Sequence, residues 1–156
     1  METMTSTSPV TQTAFRLRPM PAPLCPTSAG VALSVEAPNS YPCRRCLRDG
    51  LVGETMRLVS YDPFLGQSPY TGAGPIFVHE GGCEDFDGDA IPPQLLRRLL
   101  AVRAYDAAHF MIESEIVEGT DLEEAAARML AAPDVAYLHA HFARAGCFAV
   151  RLDRAS

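Results

Sequence analysis

Near the C-terminus, apolar residues fall on every second position twice over: Ala136, Leu138, Ala140 and Phe142, then Phe148, Val150 and Leu152. A period of two places each set on one face of an extended strand, and a slip of one residue would turn the set to the opposite face. The two runs are joined by a short loop ending at Gly146, a residue free to take a left-handed turn position. This pattern predicts an antiparallel hairpin of strands over 135–142 and 147–153. Matching core residue to core residue sets His141 opposite Cys147, Leu138 opposite Val150 and His139 opposite Ala149. The other face then carries Tyr137, His139, His141, Cys147 and Arg151. Such a face reads either as an ordinary solvated surface or as a small catalytic site, with Cys147 as nucleophile and His139 or His141 as its base.

The rest of the chain has to supply elements that pack on this hairpin. Strands are expected over 14–18, 30–37, 54–61, 76–80, 102–106 and 109–117. A helix is expected over 92–101, where proline suits the first turn. A second is expected over 121–131, opened by Thr120 and Glu123 in the form of a capping box and stopped before Pro133. The 13 prolines exceed the roughly 8 that average usage would give, and all but Pro133 lie between Pro9 and Pro93. Turns therefore crowd the first half, with loops over 19–26, 62–75 and 81–91. Residues 1–13 are polar and expected to form a disordered tail. Residues 14–156 are expected to form a single α+β domain, a mostly antiparallel sheet with two helices packed on one face.

Charge and composition exclude some function classes. With 13 basic and 19 acidic residues the net charge is −6, which argues against sequence-independent nucleic-acid binding. The short clusters Arg44, Arg45, Arg48 and Arg97, Arg98, Arg103 read as solvated. No apolar run is long enough to span a bilayer and the N-terminus lacks the pattern of a secretion signal. The expectation is a cytoplasmic protein without a membrane partner, whose five cysteines stay as thiols or metal ligands. Oligomeric state and partner are not written in the pattern.

The stretch SYPCRRCLRDG (residues 40–50) holds two cysteines three positions apart with a turn on either side. A C-x-x-C turn supplies two of the four thiolate or imidazole ligands of tetrahedral zinc. His79 and Cys83, set across a flexible Glu-Gly-Gly turn, are the best local candidates for the other two; His141 and Cys147 are the alternative. The first-ranked reading is a cytoplasmic protein of unassigned, non-catalytic function, in which Cys43, Cys46, His79 and Cys83 are the set that could hold a structural zinc. Against a redox pair, Leu47-Arg48-Asp49-Gly50 ends any helix after about one turn and the βαβ context is missing. Cys43 and Cys46 as small core fillers is the bland alternative.

Other motifs carry less. The acidic run at 84–89 fails the spacing of a calcium loop and reads as solvated. Nucleotide-binding and hydrolase motifs are missing, and Thr71-Gly-Ala-Gly74 lacks the lysine and helix of a phosphate loop. The loop over 62–75, flanked by Tyr61, Asp62 and Tyr70, could line a pocket or serve as the contact surface of a protein-interaction module.

The strings YPCRRCL, SYDPF, GPIFVHE, LRRLLAVRAYDA and DVAYLHAHFARAGCFAVRLDRA, in this order, resemble a bacterial family catalogued as domain of unknown function 1203. The resemblance covers most of the chain from about residue 15. It implies a small bacterial protein and transfers no catalytic residue. It also implies that Cys43-Arg44 belongs to the family pattern more firmly than Cys46, which leaves Cys43 as a candidate functional thiol on its own.

Overall fold

The computed structural model describes residues 15–20, 30–88 and 90–155. The expected tail over 1–13 and most of the loop over 19–26 lie outside the described residues. Eight strands form two antiparallel sheets. The larger sheet takes β1 (Phe15–Arg18), β5 (Leu99–Tyr105), β6 (Met111–Glu118), β7 (Tyr137–Phe142) and β8 (Phe148–Arg154), in the order β1-β8-β7-β5-β6. The smaller takes β2 (Val31–Ser34), β3 (Thr55–Tyr61) and β4 (Gly74–His79), in the order β2-β3-β4. The helices are α1 (Pro93–Leu96) and α2 (Leu122–Leu130). The α+β class with antiparallel pairing is as the pattern implied, but the strands are divided between two sheets.

One face of the large sheet is apolar because of the period-two pattern. Leu100, Val102 and Ala104 of β5, Leu138 and Ala140 of β7, and Val150 and Leu152 of β8 form one buried cluster. Helix α2 joins it through Leu122, Ala126, Met129 and Leu130, spaced as one stripe of a 3.6-residue helix. Leu95 of α1 is in the same cluster. Each fully buried Leu, Val or Met side chain contributes about 1.5–3 kcal/mol of transfer free energy. Glu123 and Glu124 in the first turn of α2 and Arg128 in the last complement the helix dipole. Arg128 also makes a bidentate pair with Glu115 of β6, 2.8 Å at both nitrogens.

Three local expectations fail, each for a tertiary reason. The helix expected over 92–101 stops at Leu96, because the run from Leu99 enters the sheet as β5, paired on both edges by β6 and β7. Two full ladders of hydrogen bonds outweigh a modest helix propensity. The capping box at Thr120 does not form. A 3-10 turn over Gly119–Asp121 precedes α2, and no side chain caps the helix. That turn presses on α1 so closely that a Cβ on Gly119 would lie 1.8 Å from the Leu95 carbonyl oxygen. The hairpin register is shifted by two residues: Leu138 faces Leu152, His139 faces Arg151 and Ala140 faces Val150, and a bulge then sets His141 opposite Phe148. A two-residue shift keeps Leu138, Ala140, Val150 and Leu152 on the core face, but the bulge turns Phe148, expected with them, to the second face against Tyr61 and His139 and brings Ala149 into the main cluster. Gly146 does take the left-handed position, with φ +83°.

The second face of the large sheet is not a solvent face. All six residues of β7 are buried. Phe64, from the loop after β3, packs on Tyr105 and Tyr137. Val59, Tyr61 and Ile76 of the small sheet close on Phe148.

Candidate metal centre

The segment around 40–50 folds into a tight loop. Pro42 and Asp49 form an antiparallel bridge, and the Gly50 amide donates to the Tyr41 carbonyl at 2.9 Å. Leu47 turns the chain with φ +56° and buries its side chain in the main core. The loop lies along β4: Cys43 bridges Phe77 in parallel, and the Arg44 amide donates to the Phe77 carbonyl at 3.0 Å. His79, two residues beyond Phe77, is thereby carried to Cys46. Gly81 and Gly82, at φ +79° and +98°, then turn the chain back so that Cys83 reaches Cys43.

The result is a cluster in which one donor atom each of Cys43, Cys46, His79 and Cys83 lies within 4.8 Å of all the others. Cys43 Sγ and Cys83 Sγ are 3.7 Å apart, and Cys46 Sγ and His79 Nδ1 are 3.5 Å apart. Tetrahedral zinc, with Zn–S near 2.3 Å and Zn–N near 2.0–2.1 Å, sets two sulfurs about 3.7 Å apart and a sulfur and a nitrogen about 3.5 Å apart. Cys43 is buried and the other two thiols half-buried, and all are free.

The protonation pattern is that of donors waiting for a cation. The Cys46 thiol, donating to Cys43, together with the Cys46 and Arg45 backbone amides and His79, lowers Cys43 to about 4 despite its burial. Donating that proton raises Cys46, with burial and the Cys43 charge acting in the same direction. Burial and the Cys43 charge raise Cys83. A divalent ion would replace the protons on Cys46 and Cys83. His79 Nε2 lies 3.1 Å from Glu54 Oε1. A carboxylate there fixes the tautomer with the proton on Nε2 and leaves the Nδ1 lone pair facing the thiols, the usual outer partner of a metal-bound imidazole. The Leu51 amide, then His79 and Arg48, hold Glu54 down at about 2.

The arginines of the loop are not simply solvated. Arg44 is 1% exposed. Its Nε donates to the Phe148 carbonyl at 2.7 Å, Nη1 to the Pro42 carbonyl at 2.6 Å and Nη2 to Cys147 Sγ at 2.9 Å. It thus ties the loop to the β7–β8 hairpin. Arg45 pairs with Asp85, beyond Cys83. Arg48 donates to Glu54. Asp49, buried, takes Arg97 and Arg98 at 2.9 and 3.1 Å.

The candidates on the hairpin are not assembled in the same way. His139 is fully buried and both of its ring nitrogens lack a hydrogen-bond partner. It sits among Phe64, Tyr105, Tyr137 and Phe148 at ring-centroid distances of 4.8–5.3 Å. Burial, then His141 and the nearby Arg151 and Arg103, lower it to about 3. His141 Nδ1 lies 3.1 Å from the Gly146 carbonyl oxygen. Cys147 has left the strand to meet Arg44. The alternative ligand set with His141 and Cys147 is therefore not the one gathered around Cys43 and Cys46. A cleft of about 850 Å³ opens beside the cluster instead, with Cys46, His79, Cys83, Arg48 and Glu54 in its wall. In the loop over 62–75, Phe64 is buried while Leu65 and Tyr70 are exposed.

Glu54 and Asp85 are site residues that the pattern did not single out. Asp85 belongs to the run at 84–89 read as solvated, whereas it anchors Arg45. Asp85 is set by a partner 40 residues away, and Glu54, besides its local bond from the Leu51 amide, meets His79 from 25 residues away.

Among the described residues, no helix is long and apolar enough to cross a membrane. A family model described as "Protein of unknown function (DUF1203)" matches residues 40–154. The chain belongs to that family. No curated protein and no solved structure matches it.

Proposed function

We propose that this member of the DUF1203 family is a metal-binding domain that holds one zinc ion through Cys43, Cys46, His79 and Cys83. The observation that carries the reading is the convergence of three sulfurs and one imidazole nitrogen within 4.8 Å. Four protein donors fill a tetrahedral shell and leave no open position for substrate, so the ion acts structurally rather than catalytically. Soft thiolates select zinc over calcium or magnesium, which take oxygen ligands. The role is to join segments far apart in sequence: the loop at 40–50, the end of β4 and the turn after it. Thiols that must stay reduced suit a cytoplasmic setting.

The test is elemental analysis of tag-free, chelator-washed protein. About one zinc per chain is expected, falling toward zero in Cys43→Ser and Cys83→Ser and unchanged in Cys147→Ser. Metal-free wild-type protein that is nonetheless fully folded would refute the reading.

A further inference from the structure

A second feature lies where β1 meets β8, away from the metal ligands. The register places Arg18 directly opposite Arg151. Like charges facing each other across strands are destabilising unless something lies between them. Asp153 does: its Oδ2 accepts from Arg18 Nε at 3.1 Å and its Oδ1 from Arg151 Nε at 2.7 Å. One carboxylate thus serves two guanidinium groups. Among the described residues, none of their four Nη atoms has a hydrogen-bond acceptor. Arg151 is further held flat over the Tyr137 ring, 4.1 Å from its centroid. That stacking presents its outer edge to solvent rather than letting it wander.

These donors border a cleft of about 460 Å³, within the usual range for small-ligand sites. Its apolar surface comes from Leu65 and the half-buried Pro63, over Phe148 and Tyr61, which are buried and turn only an edge to it. Leu65, 56% exposed, stands on the rim. The other two carboxylates at the edge are engaged or distant: Asp85 with Arg45, and Asp87 at 3.7 Å from Arg16. The cleft therefore combines one uncompensated positive charge, a preset fork of donors and an apolar surface, in a chain whose net charge is −6. The chemistry it matches is bidentate: planar guanidinium forks fit carboxylate and phosphate oxygens.

We infer that this cleft binds a small organic anion, a carboxylate or phosphate monoester with an apolar body, its head on Arg18 and Arg151 and its body against Leu65 and Pro63. None of its lining residues is one of the four metal donors, although Asp85 and Phe86 also line the cleft beside them.

The experiment is an NMR titration of the full-length, metal-loaded chain, following the Nε–Hε signals of Arg18 and Arg151. The probes are benzoate and phenyl phosphate, with benzyl alcohol and inorganic phosphate as controls. Saturable shifts of both arginine signals are expected with benzoate or phenyl phosphate, and none with benzyl alcohol. Affinity should fall about tenfold or more in Arg18→Gln and in Arg151→Gln, the loss of a charge-assisted hydrogen bond. Leu65→Glu, an exposed change that leaves the β1–β8 pair intact, should abolish binding by placing a carboxylate at the rim. Lack of a saturable shift with either aromatic anion, or unchanged affinity in both arginine variants, would overturn the inference. Inorganic phosphate binding as tightly as phenyl phosphate would overturn the role of the apolar surface.

Discussion

The two sheets are held by different physics. The five-stranded sheet carries the main apolar cluster, with α2 on it, and is stabilised by area removed from water. The three-stranded sheet has little of this. Its edge strand β2 is exposed along its whole length, and the cluster beneath the cysteine loop has only Val35, Cys43 and Met56 fully buried. What it has instead is a dense set of directional contacts: four converging metal donors, Glu54 on His79, and arginines reaching out from the loop. On the zinc reading proposed above, a region with a small core of its own depends on coordination and charge-assisted hydrogen bonds. Such contacts need partners in place, and they are lost together when one is removed.

Stripping the metal should have the largest effect, since structural zinc binding amounts to roughly 10 kcal/mol or more. Hydrogen exchange should show protection lost in β2, β3 and β4 and retained in β5, β7 and β8. Uniform loss across both sheets would mean that they unfold as one unit. Leu138→Ala probes the other side of the contrast. It should cost about 2–5 kcal/mol in urea unfolding, by the same amount with and without metal.

Arg44 links the two regions, so Arg44→Met should report on both. Leaving the Phe148 and Pro42 carbonyls without their donor should cost about 3 kcal/mol. Zinc affinity, measured by chelator competition, should weaken in the same variant. An unchanged affinity would show that the hairpin does not help to hold the loop. Glu54→Gln should be milder, keeping the fold while weakening zinc about 10- to 100-fold through the loss of imidazole orientation.

The smallest effect is expected at His139→Leu. Both imidazole nitrogens are buried without partners, so an apolar replacement of similar size should lie within about 1 kcal/mol of wild type, or be more stable, at neutral pH. In the fold His139 is lowered to about 3 from its ordinary 6.5. The unfolded chain therefore takes up a proton first, and wild-type stability falls as pH drops through 6.5 toward 3. The variant should lose that part of the acid slope, keeping the part due to His141, which is lowered to about 4 mainly by burial. A large loss of stability at neutral pH would instead show that the imidazole has a partner.

The legible parts of this molecule were those set by local period and local chemistry. Helix α2 was readable from its stop before Pro133, although the capping box expected to open it does not form. The four donors were readable from the C-x-x-C turn and the Glu-Gly-Gly turn that follows His79. The start of β5 at 99–101 was not, because its helix propensity was overruled by pairing with strands on both sides, whereas the strand expected from 102 is there. Nor was the fate of the hairpin's second face, which a single alternating pattern leaves open.

By itself the sequence determined which residues share a face, where turns can occur and which atoms are fit to bind a soft cation. The tertiary structure alone decided what covers each face. It buried His139 under Phe64, set Arg44 in the interior between two loops and brought Glu54 behind His79. Period and spacing act over a few residues, whereas burial depends on whichever element arrives from elsewhere in the chain.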